Sequence, residues 1–421
     1  MNKMKQEHIR AGKGEVLFFI VLLAAYFLTY FFRVSASVVM PMIASQWGLT
    51  ATITGLISSM YFYTYALMQP ISGVLNDSFG PSRVVSAGLL VAGLGALLMA
   101  FAKGAFVMGL GRLLTGLGLA PMLSGALVFQ GAAFNPERYS TYSGLILFIG
   151  NLGAVSSVVP LQKALDEWGR ESVFTGIFLI TLLIAAFLII GRGYDKVATR
   201  STGKKTSLMD AIKGLGPAYR VVFSSQPLIA ITFIWCGSMS ALMSLQGLWA
   251  VTWSRQIYGS GEGLAGLWAT LIGVGVMAGS LAGASVLMNR KRRRRAVVQL
   301  QVLLLATWVA LLAGMHYALP FWFTAGVCFL IGAIVGFLHT HLTAAVNELA
   351  PEGQGGSVFG AANMLIFGSV IIIQSLTGVI ITRISGGSGY SSEAFLGAFG
   401  MVGLVLLLGM LAIPALLSED R

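Results

Sequence analysis

Apolar stretches of about 20 residues, enough to cross the hydrocarbon core of a bilayer, recur almost without pause from Phe18 to Leu417, separated by short polar or Gly/Pro-containing breaks. Within each stretch the apolar positions run on without the strict alternation of a barrel strand. Backbone groups surrounded by lipid must bond within their own segment, so this pattern predicts helices. The predicted spans are 17–43, 53–76, 82–102, 105–131, 140–162, 172–192, 227–254, 264–288, 296–315, 320–346, 357–383 and 392–416, twelve in all. An all-α membrane protein is expected.

Composition agrees. Only 10% of the 421 residues are charged and 56% are hydrophobic, whereas a soluble domain carries about 25% charged residues. The 53 glycines fit the same picture, because small residues let membrane helices approach closely. Cys236 and Cys328 fall inside predicted spans and read as small core residues rather than a disulfide framework. The first fifteen residues are basic, but the apolar run after them has no small-residue cleavage site, which points to a retained first helix.

The basic residues are unevenly placed. Twenty fall in residues 1–15, the breaks at 77–83, 135–138, 191–226 and 290–295, and residues 418–421. The intervening breaks hold five: Lys103, Lys163, Arg170, Arg255 and Arg383. Positively charged loops stay in the cytoplasm, so both termini are expected there, in a multi-pass chain of a bacterial inner (plasma) membrane. The Arg290–Arg295 run, between two apolar spans, reads as a topology determinant facing anionic lipid rather than a nucleic-acid patch.

The longest break, 191–226, is polar and basic, contains Pro217, and divides six spans from six. We therefore expect an N-terminal half over 1–192, a cytoplasmic linker over 193–226 and a C-terminal half over 227–421. An internal repeat supports the division. Asn135-Pro136-Glu137 precedes Gly144, Phe148 and Asn151 in the fifth span, and Ala350-Pro351-Glu352 precedes Gly360, Asn363 and Phe367 in the eleventh. Two pseudo-symmetric halves are expected to pack around a central cavity and rock to alternate access.

Two motifs carry a family resemblance. Gly73-Val-Leu-Asn-Asp77-Ser-Phe-Gly80-Pro-Ser-Arg83, between the second and third spans, and Arg112-Leu-Leu-Thr-Gly116-Leu-Gly118 in the fourth, resemble the signature motifs of the major facilitator superfamily. The resemblance covers essentially the whole chain and implies that superfamily's fold. It also implies a gating role for Asp77 and Arg83, the carboxylate pairing with basic groups and helix N-termini when the cytoplasmic side closes. For Arg112 it implies a packing or gating role. The matching loop of the second half, 283–295, keeps a basic run but lacks the acidic and glycine positions. The Gly-Pro pattern of drug/proton antiporters is missing from the fifth span, which reads Gly150-Asn-Leu-Gly153 with Pro160 only later.

All fifteen Asp and Glu fall in breaks, termini or span ends, whereas Arg33 and Arg112 sit within apolar sequence. An intramembrane cation is costly and tends to face a cavity. Tyr26, Tyr30 and Ser37 share helical spacing with Arg33, and the natural counter-charge is an anionic substrate gripped by the guanidinium fork. An arginine here in the first helix resembles the organic-anion and sugar-phosphate branches of the superfamily. The second arginine of those phosphate antiporters has no counterpart in the stretch from Ser240 to Trp253, and a single cation suits a monocarboxylate.

Neutral candidates are Gln246 and Trp249 in the seventh span, Asn363 with Phe367 and Gln374 in the eleventh, and Asn151 through the repeat. Tyr61, Tyr63 and Tyr65 cannot all face one cavity. His339 is a candidate proton carrier; with His341 it does not make a metal pair, because a spacing of two points the rings apart.

The expected function is a proton-coupled secondary active transporter of a small organic anion, working by alternating access. Alternatives are a transporter-like solute receptor that docks a partner through the basic segment at 204–213, and an efflux pump for apolar compounds. No nucleophile–base pair, metal cluster or phosphate-cradling loop suggests an enzyme, and no cofactor or metal is expected. The expected partners are a small anionic solute, protons and membrane lipids, without nucleic acid, for a protein acting as a monomer.

Overall fold

The computed structural model describes residues 12–135, 139–197, 208–259, 262–286, 288–351, 355–387 and 389–417. Every regular element among them is a helix. The first half begins with α1 (Lys13–Trp47), stopped by Gly48 in the left-handed conformation (φ 62°). Thr50 then starts α2 (Ala51–Phe79), its Oγ1 accepting the Ile53 N–H at 3.3 Å. Gly80, at φ 82°, turns the chain into α3 (Pro81–Phe101), where proline at the first helical position forfeits no hydrogen bond. The fourth apolar run is broken at Ala120-Pro121 into α4 (Ala105–Leu119) and α5 (Met122–Ala133).

The next two runs depart from expectation. Helix α6 (Tyr139–Ser156) ends before Val158, and α7 (Val159–Ile190) starts with Pro160 in its first turn. That proline cannot donate to a helix continuing through it, so the run expected over 140–162 is divided. α7 is itself kinked at Gly169, φ 74°, a conformation that favours glycine.

In the second half, the seventh run is α9 (Gln226–Ser244), a π-helical turn (Leu245–Trp249) and α10 (Ala250–Tyr258). It is preceded by α8 (Leu208–Ser224), a helix within the expected linker. There follow α11 (Glu262–Ala265), α12 (Leu267–Ser285), α13 (Arg290–His316), α14 (Phe321–Leu349), α15 (Gly355–Ser385), α16 (Ser392–Met410) and α17 (Ile413–Leu417). The basic run forms the opening turns of α13, begun by Asn289, whose Oδ1 accepts the Arg292 N–H at 2.9 Å. Among the described residues, ten segments are long and apolar enough to cross a membrane, and Thr141–Ser156 is a shorter apolar helix. α2 has the length, 29 residues, but is too polar to qualify.

α12 and α14 pack backbone to backbone. A Cβ at Gly275, Gly279, Gly332 or Gly336 would strike a main-chain carbonyl of the facing helix, the close approach that small residues permit. The halves meet where α2 packs on α15, α6 on α12 and α1 on the Leu245–Trp249 turn.

Two ends of the bundle can be told apart. At one, Lys196 pairs with Glu15 at 2.6 Å, Asp195 accepts the Ser82 N–H at 2.7 Å, and Arg293 pairs with Glu348. This is the end of the basic breaks. At the other, Thr52 N–H and Oγ1 bond Thr382 Oγ1 at 2.8 and 2.9 Å, joining α2 to α15 across the halves.

Candidate functional site

A cavity of about 140 Å³ lies between the halves. The side chains lining it come from α1, α2, α5 and α6 of the first half and α9, α12, α14 and α15 of the second. It reaches from mid-bundle, at Arg33, Asn151 and Gln246, toward the basic end, at Ser280, Thr343 and Phe359. The opposite end is closed. Thr52 and Thr382 are bonded there, and a Cβ on Gly378 would strike the Ala51 carbonyl. A larger hollow of about 540 Å³ between α1, α6 and α7 has an almost wholly aliphatic and phenyl lining, including Ile20, Phe27 and Ile180. Such an outward apolar surface suits lipid chains rather than a charged ligand.

Among the described residues, Arg33 is the one charged side chain lining the central cavity, and it is only 3% exposed. Its guanidinium lies 4.3 Å from the Tyr30 ring centre, 5.1 Å from Tyr65 and 5.0 Å from Phe367. One Nη2 hydrogen bond reaches Tyr65 Oη at 2.9 Å, and the buried Nε has no partner among the described residues. No carboxylate among the described residues pairs with it. Aromatic faces hold a cation at about 0.5–2 kcal/mol each, which offsets part of its desolvation cost. They leave its net charge uncancelled.

Arg112 sits differently. It donates to the Phe32 carbonyl at 2.6 Å and the Ser58 carbonyl at 2.9 Å, lies 5.1 Å from the Tyr61 ring and does not line the cavity. From α4 it ties α1 to α2.

A sequence profile of the Major Facilitator Superfamily matches residues 22–374. The chain belongs to this superfamily. The protein described as "Probable sulfoacetate transporter SauU" from Cupriavidus necator is 36% identical over 98 residues, 23% of this chain and 23% of that one. The gentisate transporter of Corynebacterium glutamicum is 26% identical over 146 residues, 34% and 32% of the two chains. These matches thus span about a quarter to a third of the relatives' length. The fosmidomycin resistance protein of Escherichia coli is 25% identical over 381 residues, 87% and 86%. Among solved structures, a bacterial homolog of the human lysosomal transporter Spinster, in an inward-facing and unoccupied conformation, matches with a TM-score of 0.75. The match covers 97% of this chain and 99% of that one at 14% identity, which is a likeness of fold.

Within this superfamily fold, Tyr30, Arg33, Asn151, Gln246, His339 and Asn363 all line the cavity. Asn151 does so from α6 and Asn363 from α15. Asn151 Nδ2 bonds the Leu147 carbonyl at 2.9 Å, and Asn363 Nδ2 crosses to Gln69 Oε1 at 2.7 Å. His339 Nε2 lies 3.0 Å from Ser238 Oγ, whereas His341 packs on Phe337 away from the cavity.

Two candidates do not reach the cavity. Ser37 donates to the Val34 carbonyl at 2.9 Å on the closed side of Arg33, where α1 packs against the second half. Trp249 follows Gln246 by three residues, which on an α-helix would put the two on one face, but both lie within the π-helical turn, whose Ala250 N–H bonds back five residues to Leu245. That wider turn changes the helical phase, and the Trp249 indole instead donates to Thr377 Oγ1 at 2.9 Å.

Asp77 and Arg83 are exposed and do not pair with each other. The carboxylate that serves the start of α3 is the buried Asp195, which sequence reasoning missed. Also missed were Tyr65, Trp235, Met239, Met243, Ser280 and Thr340. Residues 235, 239, 242 and 243 of α9 and Gln246 of the turn that follows are spaced by four, three, one and three, a signal that could have been read from the sequence.

Proposed function

We propose that this protein is a secondary active transporter of a small organic monoanion, held by Arg33 and moved by alternating access. The observation that carries this reading is the Arg33 guanidinium, buried in the inter-half cavity among aromatic rings and paired with no carboxylate of the described residues. Opposite unit charges 4 Å apart attract by about 4 kcal/mol at an effective dielectric of 20. A neutral hydrogen bond contributes about 1 kcal/mol, so charge decides which class of solute binds. A second negative charge would find no further cation among the described residues of the wall, which favours monoanions such as monocarboxylates. Relatives named for sulfoacetate and gentisate fit an anionic substrate.

On this reading the chain crosses a bacterial inner membrane twelve times, with α2 and α6 completing the ten clearer spans and both termini in the cytoplasm. Asp77 and Arg83 form the cytoplasmic gate, engaging when the end to which the cavity now reaches closes. The co-transported proton rides on His339 or on the substrate.

The test is uptake of labelled mono- and dicarboxylates and sulfonates into proteoliposomes by the wild type and Arg33→Ala. Wild-type flux of a monoanion that falls to the protein-free level in R33A supports the assignment; equal flux by the two proteins removes it.

A further inference from the structure

Trp235, on α9, lines the wall of the cavity contributed by the second half and is 5% exposed. Its ring lies 5.7 Å from the His339 ring and 6.0 Å from Phe359. Its Nε1–H has no acceptor among the described residues. His339 does not supply one, since its Nε2 is already engaged with Ser238 Oγ at 3.0 Å. Trp253 and Trp268 also leave Nε1 without an acceptor, but they pack on each other with ring centres 4.5 Å apart, outside the cavity. Among the described residues, Trp235 is thus the cavity-lining indole whose donor is spare. A buried donor without a partner is costly, and this one belongs to a side chain of the cavity wall.

We propose that Trp235 is a specificity-determining residue that donates a hydrogen bond to an uncharged acceptor at the end of the substrate remote from its anionic group. The inference rests on Arg33 as the anion site and deepens it. Arg33 supplies a cationic pole from the first half, Trp235 a neutral donor pole from the second. Between them the lining is flat or soft: Tyr30, Tyr65 and Phe367 on one side, Met239, Met243 and Phe359 on the other. The volume, about 140 Å³, is on the order of the ~150 Å³ apolar cavity that takes up benzene in an engineered protein. The substrate class that fits is a one-ring or similarly compact monocarboxylate bearing a hydroxyl, ether or carbonyl oxygen opposite the carboxylate. Because the poles sit on different halves, such a molecule engages both at once.

The experiment measures binding of benzoate and 4-methoxybenzoate to the purified full-length chain by isothermal titration calorimetry. The methoxy oxygen accepts but cannot donate. Wild type is expected to prefer 4-methoxybenzoate by about five- to tenfold, the effect of one hydrogen bond of ordinary net strength. W235F is expected to lose the preference, binding the two probes with equal affinity. A second variant guards against misfolding: an unnatural amino acid that replaces the indole with benzothiophene keeps the bicycle and removes only the N–H. Preference retained in either variant overturns the proposal, as does failure of the wild type to bind either probe. R33A separates the two readings. If it still binds both probes as wild type does, the anion site itself is wrong; if it loses both while W235F keeps the preference, only the role of Trp235 falls.

Discussion

Arg112 donates its 2.6 Å hydrogen bond to the carbonyl of Phe32, the residue immediately before Arg33. Its other bond goes to Ser58 on α2, one turn from Tyr61, and Tyr61 in turn stacks on Tyr65 with ring centres 5.5 Å apart. The guanidinium that lies outside the cavity therefore braces the helices that present the one inside it. Replacing Arg112 by Ala strips two carbonyls of charged donors, each bond contributing about 1.5–3 kcal/mol. A clear fall in thermal midpoint in detergent is expected, with a larger loss of anion affinity than R33-distant core variants of equal stability produce. An R112A protein as stable and as active as wild type would show that the brace is unimportant.

Arg33→Lys keeps the charge but loses the planar fork and the stacking on Tyr30 and Tyr65. Transport should persist with a substrate KM raised by about tenfold, on the order of 1.4 kcal/mol, while Arg33→Gln should be inactive. Proteoliposome kinetics distinguish these; equal activity of the Lys and Gln variants would mean that charge is not what the substrate reads.

Gly378→Val should prevent closure of the end away from the basic loops, because its Cβ would strike the Ala51 carbonyl. The expected result is a folded but inactive protein in which a cysteine placed at Thr52 reacts faster with a membrane-impermeant maleimide. Labelling no faster than in the Gly378 parent would count against this contact as the seal.

His339→Gln preserves a hydrogen-bonding partner for Ser238 Oγ, which now lies 3.0 Å from the His339 ring nitrogen, but cannot carry a proton. If the proton rides on this ring, imposing a pH gradient should accelerate anion uptake by wild type and leave the variant unaffected. A variant that responds as wild type does would assign the proton to the substrate.

Glu348→Gln breaks the pair with Arg293, whose partner carboxylate is 40% exposed. Exposed pairs contribute roughly 0–1 kcal/mol, so the thermal midpoint should barely move. A large loss would mean that the basic start of α13 depends on this one carboxylate.

What the sequence revealed of the fold and site follows from which signals are local. The apolar runs and the lone Arg33 can be read from neighbours a few residues away, because membrane burial acts on each segment separately. Asn151 and Asn363, both proposed from local sequence pattern, both line the cavity. Trp249 was misplaced because a π-helical turn leaves no mark in hydropathy yet rotates everything beyond it. Pro160 divided a run, 140–162, that looked continuous. Tyr65 stayed ambiguous among three tyrosines, because the choice depends on where α15 brings Phe367. Asp195 was invisible for a similar reason: its partner, Ser82, lies 113 residues away.

The glycine seam between α12 and α14 bears on how this molecule can change shape. With main chain pressed against main chain, that pair has no soft side-chain layer to deform, so the wall carrying Ser280 and His339 moves as a stiff slab. Compliance during turnover must then reside in contacts that break and reform cheaply, such as the hydroxyl link between Thr52 and Thr382. On the alternating-access reading, the molecule works less like a flexing tube than like two rigid jaws on a weak clasp.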